Sequence, residues 1–278
     1  MKLEKNKKKF PLRKGISNGE ISQILKVISY YKKRGEDIGY NGVFENKYCD
    51  EFSKFQTTKG YADVVATGTL AIFNALQAFQ LKKNSEVLVS PITDAGTLSP
   101  LILLGLKPKI MDTEKMSYNV SLNQIKKRIS KNTKLVLIVH AAGKSVDMKG
   151  IKSFLKRKKI FLLEDCSQAH GASWYCKNSG NKIKVGNFAD ISVFSTMNRK
   201  IHMTGPTGGV TFTKSRKFHL KLRAYSDRGK PFWKKKFDER NPNQFLFPAL
   251  NLNSNEINCA MGIASLKRLN ETIKKRLK

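Results

Sequence analysis

Phe161-Leu162-Leu163-Glu164-Asp165-Cys166-Ser167-Gln168-Ala169-His170-Gly171 opens as an apolar run and turns directly into two acids. A short, unbroken apolar run bounded in this way is the pattern of a strand buried on both faces. A carboxylate set at the end of such a strand is poorly solvated and needs a cationic partner. The competing reading of Asp165 is a helix-capping acid.

Runs of the same kind recur on either side of this stretch. Strands are expected at 63–66, 87–90, 109–111, 135–140, 160–163, 191–195 and 209–212. Amphipathic patterns lie between several of them. Ile72, Phe73, Leu76 and Phe79 mark a helix over 69–79; Leu122, Ile125 and Ile129 mark another; Ile151, Phe154 and Leu155 mark a third. Apolar strands alternating with helices predict an α/β chain, a three-layer α/β/α sandwich around a mostly parallel sheet. Ligands bind such sheets at the carboxyl ends of the strands. That directs attention to Thr67-Gly68-Thr69, to 91–97, and to His140, Asp165 and Ser195. A Gly-Thr turn entering a helix offers backbone N–H groups and a hydroxyl to a phosphate, although a plain helix cap explains it equally well. Lys200 follows the 191–195 run and precedes a Gly-rich turn, Gly205 to Gly209, a setting suited to a covalently acting lysine, although taken alone an ordinary solvent-facing lysine is the simpler reading.

Composition excludes several classes of protein. The chain has 278 residues, 40% of them hydrophobic, which is enough for a packed core. Its apolar runs fall far short of the roughly 20 residues of a membrane span. The amino terminus, 1–14, is Lys-rich without the apolar core of a secretory leader. Cys49, Cys166, Cys176 and Cys259 lie far apart with no CxxC spacing, so neither a disulfide scaffold nor a metal site is expected, and the cytoplasm is the expected compartment. Against 21 acidic residues stand 53 basic ones, a net charge of +32. The excess is spread over 1–60, 121–160 and 211–240. Many of the lysines fall between helically spaced apolar residues, the pattern of a solvated face and not of a specific nucleic-acid groove.

The motifs together resemble the DegT/DnrJ/StrS family of pyridoxal-phosphate sugar aminotransferases. Glu164-Asp165-Cys166-Ser167-Gln168-Ala169-His170-Gly171 resembles that family's E-D-x-x-Q-A-H-G. Phe194-Ser195 with Lys200, then Gly208-Gly209, resembles its F-S-x4-K and G-G elements; Thr67-Gly68-Thr69 resembles S-G-T. His140 with Gly143, then Asp147-Met148, resembles H-x-x-G and D-M. Asn251, Glu256 and Leu266-Lys267-Arg268-Leu269 resemble its late N…E…L-K-R-L stretch. The likeness runs from about residue 21 to residue 278.

The resemblance implies a fold-type I transferase in which 1–60 is an amino-terminal arm with helices, 61–250 a cofactor-binding large domain, and 251–278 the start of a small carboxyl-terminal domain that is largely missing. It implies pyridoxal phosphate as cofactor and Lys200 as the residue that bonds to it. Asp165 would partner the pyridine nitrogen and Gln168 the phenolic oxygen side of the ring. Gly68, Thr69 and Ser195 would hold the phosphate, joined by Asn251 from a neighbouring subunit of a homodimer with shared sites. The implied donor is glutamate or glutamine, and the implied acceptor a nucleotide-linked keto sugar, as in the making of amino sugars for surface polysaccharides or secondary metabolites. Two departures stand out. Ala95 occupies the position where the family often stacks an aromatic on the ring, and Asn253 the position where arginine is common. They support an alternative, a truncated, non-catalytic paralogue that acts by binding. A sugar dehydratase, in which related proteins carry histidine in place of the lysine, is disfavoured by Lys200; His202 lies two positions away.

Overall fold

The computed structural model describes residues 15–175, 180–234 and 236–277; the Lys-rich stretch 1–14 and Cys176, both used in the sequence reading, lie outside them. In chain order the helices are α1 (Asn18–Arg34), α2 (Val43–Gln56), α3 (Gly68–Phe79), α4 (Ala95–Leu103), α5 (Leu122–Arg128), α6 (Ile151–Arg157), α7 (Arg216–Ser226), α8 (Glu256–Lys267) and α9 (Leu269–Arg276). The strands are β1 (Tyr61–Val65), β2 (Glu86–Val89), β3 (Lys107–Ile110), β4 (Thr133–Val139), β5 (Phe161–Asp165), β6 (Ser173–Tyr175), β7 (Lys182–Lys184), β8 (Ile191–Ser195) and β9 (Gly209–Thr213).

Each run singled out by apolar content becomes a strand of one seven-stranded sheet, ordered β1-β9-β8-β5-β4-β2-β3. The pairs β2–β3, β2–β4, β4–β5 and β5–β8 are parallel, whereas β8–β9 and β1–β9 are antiparallel. Within this sheet β9 therefore runs against the other six. The carboxyl ends of β1, β2, β4, β5 and β8 meet at one edge, and the amino end of β9 meets them there.

The structure moves one boundary that matters. The run expected at 160–163 continues through both acids, with Glu164 opposite Ile138 and Ser192, and Asp165 opposite Val139 and Val193. Successive strand residues face opposite sides of a sheet, so the two carboxylates are separated by the strand itself.

The same alternation builds the layers. Leu135 and Leu137 of β4 pack with Ala71, Leu76, Leu101 and Leu222 of the helices on one face. Val136 and Ile138 pack with Ile125, Ile151 and Leu155 on the other. A third cluster, Tyr48, Phe52, Val64, Phe194, Val210, Phe212, Ile263 and Leu269, seats α2, α8 and α9 against the β1–β9–β8 end. Helix α1 carries its own start and stop signals. Ser17 accepts from Gly19 N, and Glu20 reaches back to Ser17 N at 2.8 Å, a capping box; Gly35 ends the helix in the left-handed region at φ 64°. Val27 and Tyr31 then bury this helix against Ala260 of α8. The antiparallel hairpin β6–β7 lies outside the main sheet and was not anticipated from the sequence.

Candidate functional site

At the carboxyl edge of the sheet lies a pocket of about 220 Å³ lined by Gly68, Thr69, Asp165, Gln168, Ser195 and Lys200. Six of the seven residues expected from sequence are thus brought together, from three separate stretches of chain.

One wall is the start of α3. Thr67 caps the helix, its Oγ1 accepting from Leu70 N at 3.1 Å. The capping reading of this turn is correct for Thr67 and leaves Gly68 and Thr69 free for the pocket. Gly68 is required by closeness: a Cβ there would lie 2.6 Å from the Cβ of Ser195. Gly209 is pressed equally hard, since its Cβ would meet the Thr67 carbonyl oxygen at 2.2 Å. The helix amino terminus therefore abuts Ser195, and backbone N–H groups with the hydroxyls of Thr69 and Ser195 form a cradle suited to an anion. Ser195 is itself held on both sides. Its N–H donates to Ser167 Oγ at 3.0 Å, and its carbonyl accepts from His170 Nε2 at 2.8 Å. Burial pushes His170 down to about 4, so the ring is neutral at physiological pH.

The opposite side belongs to the end of β5. Asp165 is 4% exposed; its Oδ1 accepts from Ser167 N at 3.0 Å and its Oδ2 from Thr97 Oγ1 at 3.1 Å. Gln168 Oε1 accepts from Ala142 N at 2.7 Å, which leaves its amide N–H groups for a ligand. Lys200 sits in the turn after β8, its N–H bonded to the Met197 carbonyl. Thr97 and Ser167, neither singled out from sequence, line the same pocket. Thr97 belongs to the strand-end stretch 91–97, but no spacing rule distinguishes it from its neighbours there.

Glu164 has a different fate on the other face of β5. Its Oε1 accepts from His140 Nε2 at 2.9 Å and Gly186 N at 3.0 Å, and its Oε2 from Phe188 N at 2.9 Å and Ala189 N at 2.8 Å. Burial alone would raise this carboxyl; the His140 and backbone hydrogen bonds outweigh it and hold it below the usual carboxylate value. His140 Nδ1 accepts from Val146 N, so Nε2 carries the ring proton. His140, Glu164 and Cys166 bring metal-type donor atoms within 4.8 Å of one another, but those of Glu164 and His140 are already taken up by these bonds.

The remaining expected residues lie elsewhere. Asn251 is exposed and outside the pocket of its own chain; its Oδ1 accepts from Asn253 N and Nδ2 at 3.1 and 2.9 Å, and its backbone bridges to Asp227. His202 is fully buried, Nε2 2.7 Å from the Tyr48 hydroxyl and Nδ1 3.1 Å from Ser265 Oγ. Both of its nitrogens are engaged away from the pocket. Ala95 opens α4 beside Thr93, Asp94, Gly96 and Thr97 of the pocket wall, at the position where the family often stacks an aromatic ring.

Comparison with known proteins identifies the family and the fold. The sequence pattern of the DegT/DnrJ/EryC1/StrS aminotransferase family matches residues 32–278. GDP-perosamine synthase of Vibrio cholerae is 27% identical over 237 residues, 85% of this chain and 60% of that protein. The enzyme of the same name from Escherichia coli O157:H7 is 30% identical over 190 residues, 68% of this chain and 49% of that protein. An aminotransferase from Psychrobacter cryohalolentis superposes with a TM-score of 0.83 at 25% identity, covering 94% of this chain and 64% of its own. The chain thus spans about half to two thirds of the length of these relatives.

Proposed function

The chain belongs to the DegT/DnrJ/EryC1/StrS aminotransferase family, and from that premise we propose that it binds pyridoxal phosphate in the pocket at the sheet edge and transfers an amino group from glutamate or glutamine to a nucleotide-linked keto sugar. The observation that carries this reading is the meeting of a lysine, a hydrogen-bonded carboxylate and an anion cradle in one pocket. The cradle fits a phosphate because the Gly68–Ser195 approach leaves no room for a side chain at Gly68 and directs donors into the space.

When bound, pyridoxal phosphate supplies an electron sink for the negative charge left on a substrate carbon that loses its proton. The protein's own contributions are positional and acid–base. Gly68 N, Thr69 and Ser195 hold the phosphate, helped by the positive end of the α3 dipole. Asp165, anchored from Thr97 and Ser167, keeps a proton on the pyridine nitrogen. Gln168 offers an N–H to the ring oxygen. Lys200 Nζ takes a proton from one substrate carbon and returns it to another position, acting as base and then acid. Asn251, exposed and outside the pocket of its own chain, would reach the phosphate of a second copy, which would make the working unit a homodimer. The polar wall at 93–97 favours a second reading, a relative that holds the cofactor without efficient turnover.

Borohydride reduction after cofactor addition, followed by peptide mapping, tests the assignment. The label is expected on Lys200. A label on another lysine, with Lys200 unmodified, overturns it.

A further inference from the structure

Two threonines connect the turn after β2 to the carboxylate at the end of β5. Thr97, in the first turn of α4, is 2% exposed. Its Oγ1 lies 2.8 Å from Thr93 Oγ1 and 3.1 Å from Asp165 Oδ2, the second a long contact for a hydroxyl donor. A threonine hydroxyl has one proton and an ionised carboxylate has none, so the direction is determined. Thr97 must donate to Asp165, and it is then free to accept from Thr93. The other carboxylate oxygen is held by Ser167 N at 3.0 Å. A bond on each oxygen fixes the plane of the carboxylate as well as its place.

We propose that Thr97, anchored by Thr93, is a positioning residue that sets the orientation of Asp165. The proposal rests on Asp165 being the partner of the cofactor's pyridine nitrogen. Without the Thr97 hydroxyl, Oδ2 loses its hydrogen-bond partner among the described residues, and the carboxylate is held only through Oδ1 by Ser167 N. A carboxylate that is less well aimed holds the pyridine proton less firmly. Positive charge on the ring makes the conjugated nitrogen at Lys200 release its own proton more readily. Losing that charge therefore raises the pH at which the bound cofactor's visible band titrates. The other titratable groups lining the pocket, Asp94 and Lys200, and the neighbouring Glu164, Cys166 and His170, are left in place by the changes below.

The test is a pH titration of the visible band in cofactor-loaded wild type, Thr97→Val and Thr97→Ser, with turnover measured alongside. Valine keeps the volume and removes the hydroxyl, whereas serine keeps the hydroxyl. Thr97→Val is expected to bind cofactor, to titrate at higher pH and to turn over about 10- to 100-fold more slowly. Thr97→Ser should restore both properties to near wild type. Thr93→Val, which leaves Thr97 unanchored, should shift the midpoint in the same direction by less, and it carries the test if Thr97→Val does not fold. A valine variant indistinguishable from wild type in its titration overturns the positioning role. Wild type that forms no visible band with cofactor instead overturns the reading of the pocket on which the proposal rests.

Discussion

Glu164 and Asp165 are chemically alike, adjacent, and set to opposite tasks by the pleat of one strand. Glu164 terminates four hydrogen bonds in a fully buried site. Glutamine there presents two N–H donors to groups that are themselves donors, so Glu164→Gln should lower stability by about 2–4 kcal/mol, read as a fall in the urea midpoint. The folded-state pKa is depressed, so this contribution is present above the ordinary value of 4.5 and is lost on acidification. Asp165→Asn should behave in the opposite way. It should keep fold and cofactor yet lose on the order of 10³ in turnover, about 4 kcal/mol of barrier. Near wild-type turnover would remove Asp165 from the ring. The apolar run made Asp165 legible as a strand-end acid, but the separate use of Glu164 was not. Its partners come from 140 and from 186–189, and only the finished sheet brings them to it. The capping reading of Asp165 fails, because β5 is followed by β6 and not by a helix; its Oδ1 instead accepts from Ser167 N in a local turn.

Among the elements, the joint between α2, β1 and α7 carries the clearest pH dependence. Glu45 of α2 is 3% exposed and is pushed up to about 7, first by burial and then by the carboxylate of Asp63. Glu256 adds to the rise, while the Asn41 N–H and Arg223 oppose it. The folded state thus binds this proton more tightly than the unfolded chain. Stability is full below about 4.5 and declines as pH rises to about 7. Glu45→Gln keeps an acceptor for Asn41 N and removes the penalty. It should stabilise the fold at pH 8 by up to about 3 kcal/mol and do little near pH 4.5. Equal gains at both values in urea titrations would exclude Glu45 as the source. Elements like these differ in how well sequence exposes them. The seven sheet strands were visible because burial on both faces leaves an unbroken apolar signal. The hairpin β6–β7 escaped, since Lys182 and Lys184 alternate around a single exposed Ile183. Helix α4 escaped because it contains Pro100, a residue that normally argues against a helix interior.

For the whole molecule, charge and assembly act against each other. With +32 on each copy, the proposed dimer should loosen at low ionic strength and tighten near 0.15 M salt, where screening acts over about 8 Å. Cofactor that binds a site shared between copies should favour the dimer further. Sedimentation with and without pyridoxal phosphate reads both effects, and a monomer that takes up stoichiometric cofactor would show that Asn251 is not shared. Strand β9, squeezed between β1 and β8, also makes the site a late arrival in the life of the chain. Gly68 rests on Ser195, which follows it by 195 − 68 = 127 residues. At a synthesis rate of about 5–20 residues per second, the first half of the cradle waits roughly 6–25 s for the second. Over that interval α3 meets Val87, Leu101 and Leu135 of its core cluster in turn, while Val193 and Leu222 arrive only at its end or later. Vitamin B6 can therefore steady only the completed molecule, since its cradle does not exist until both halves have been made.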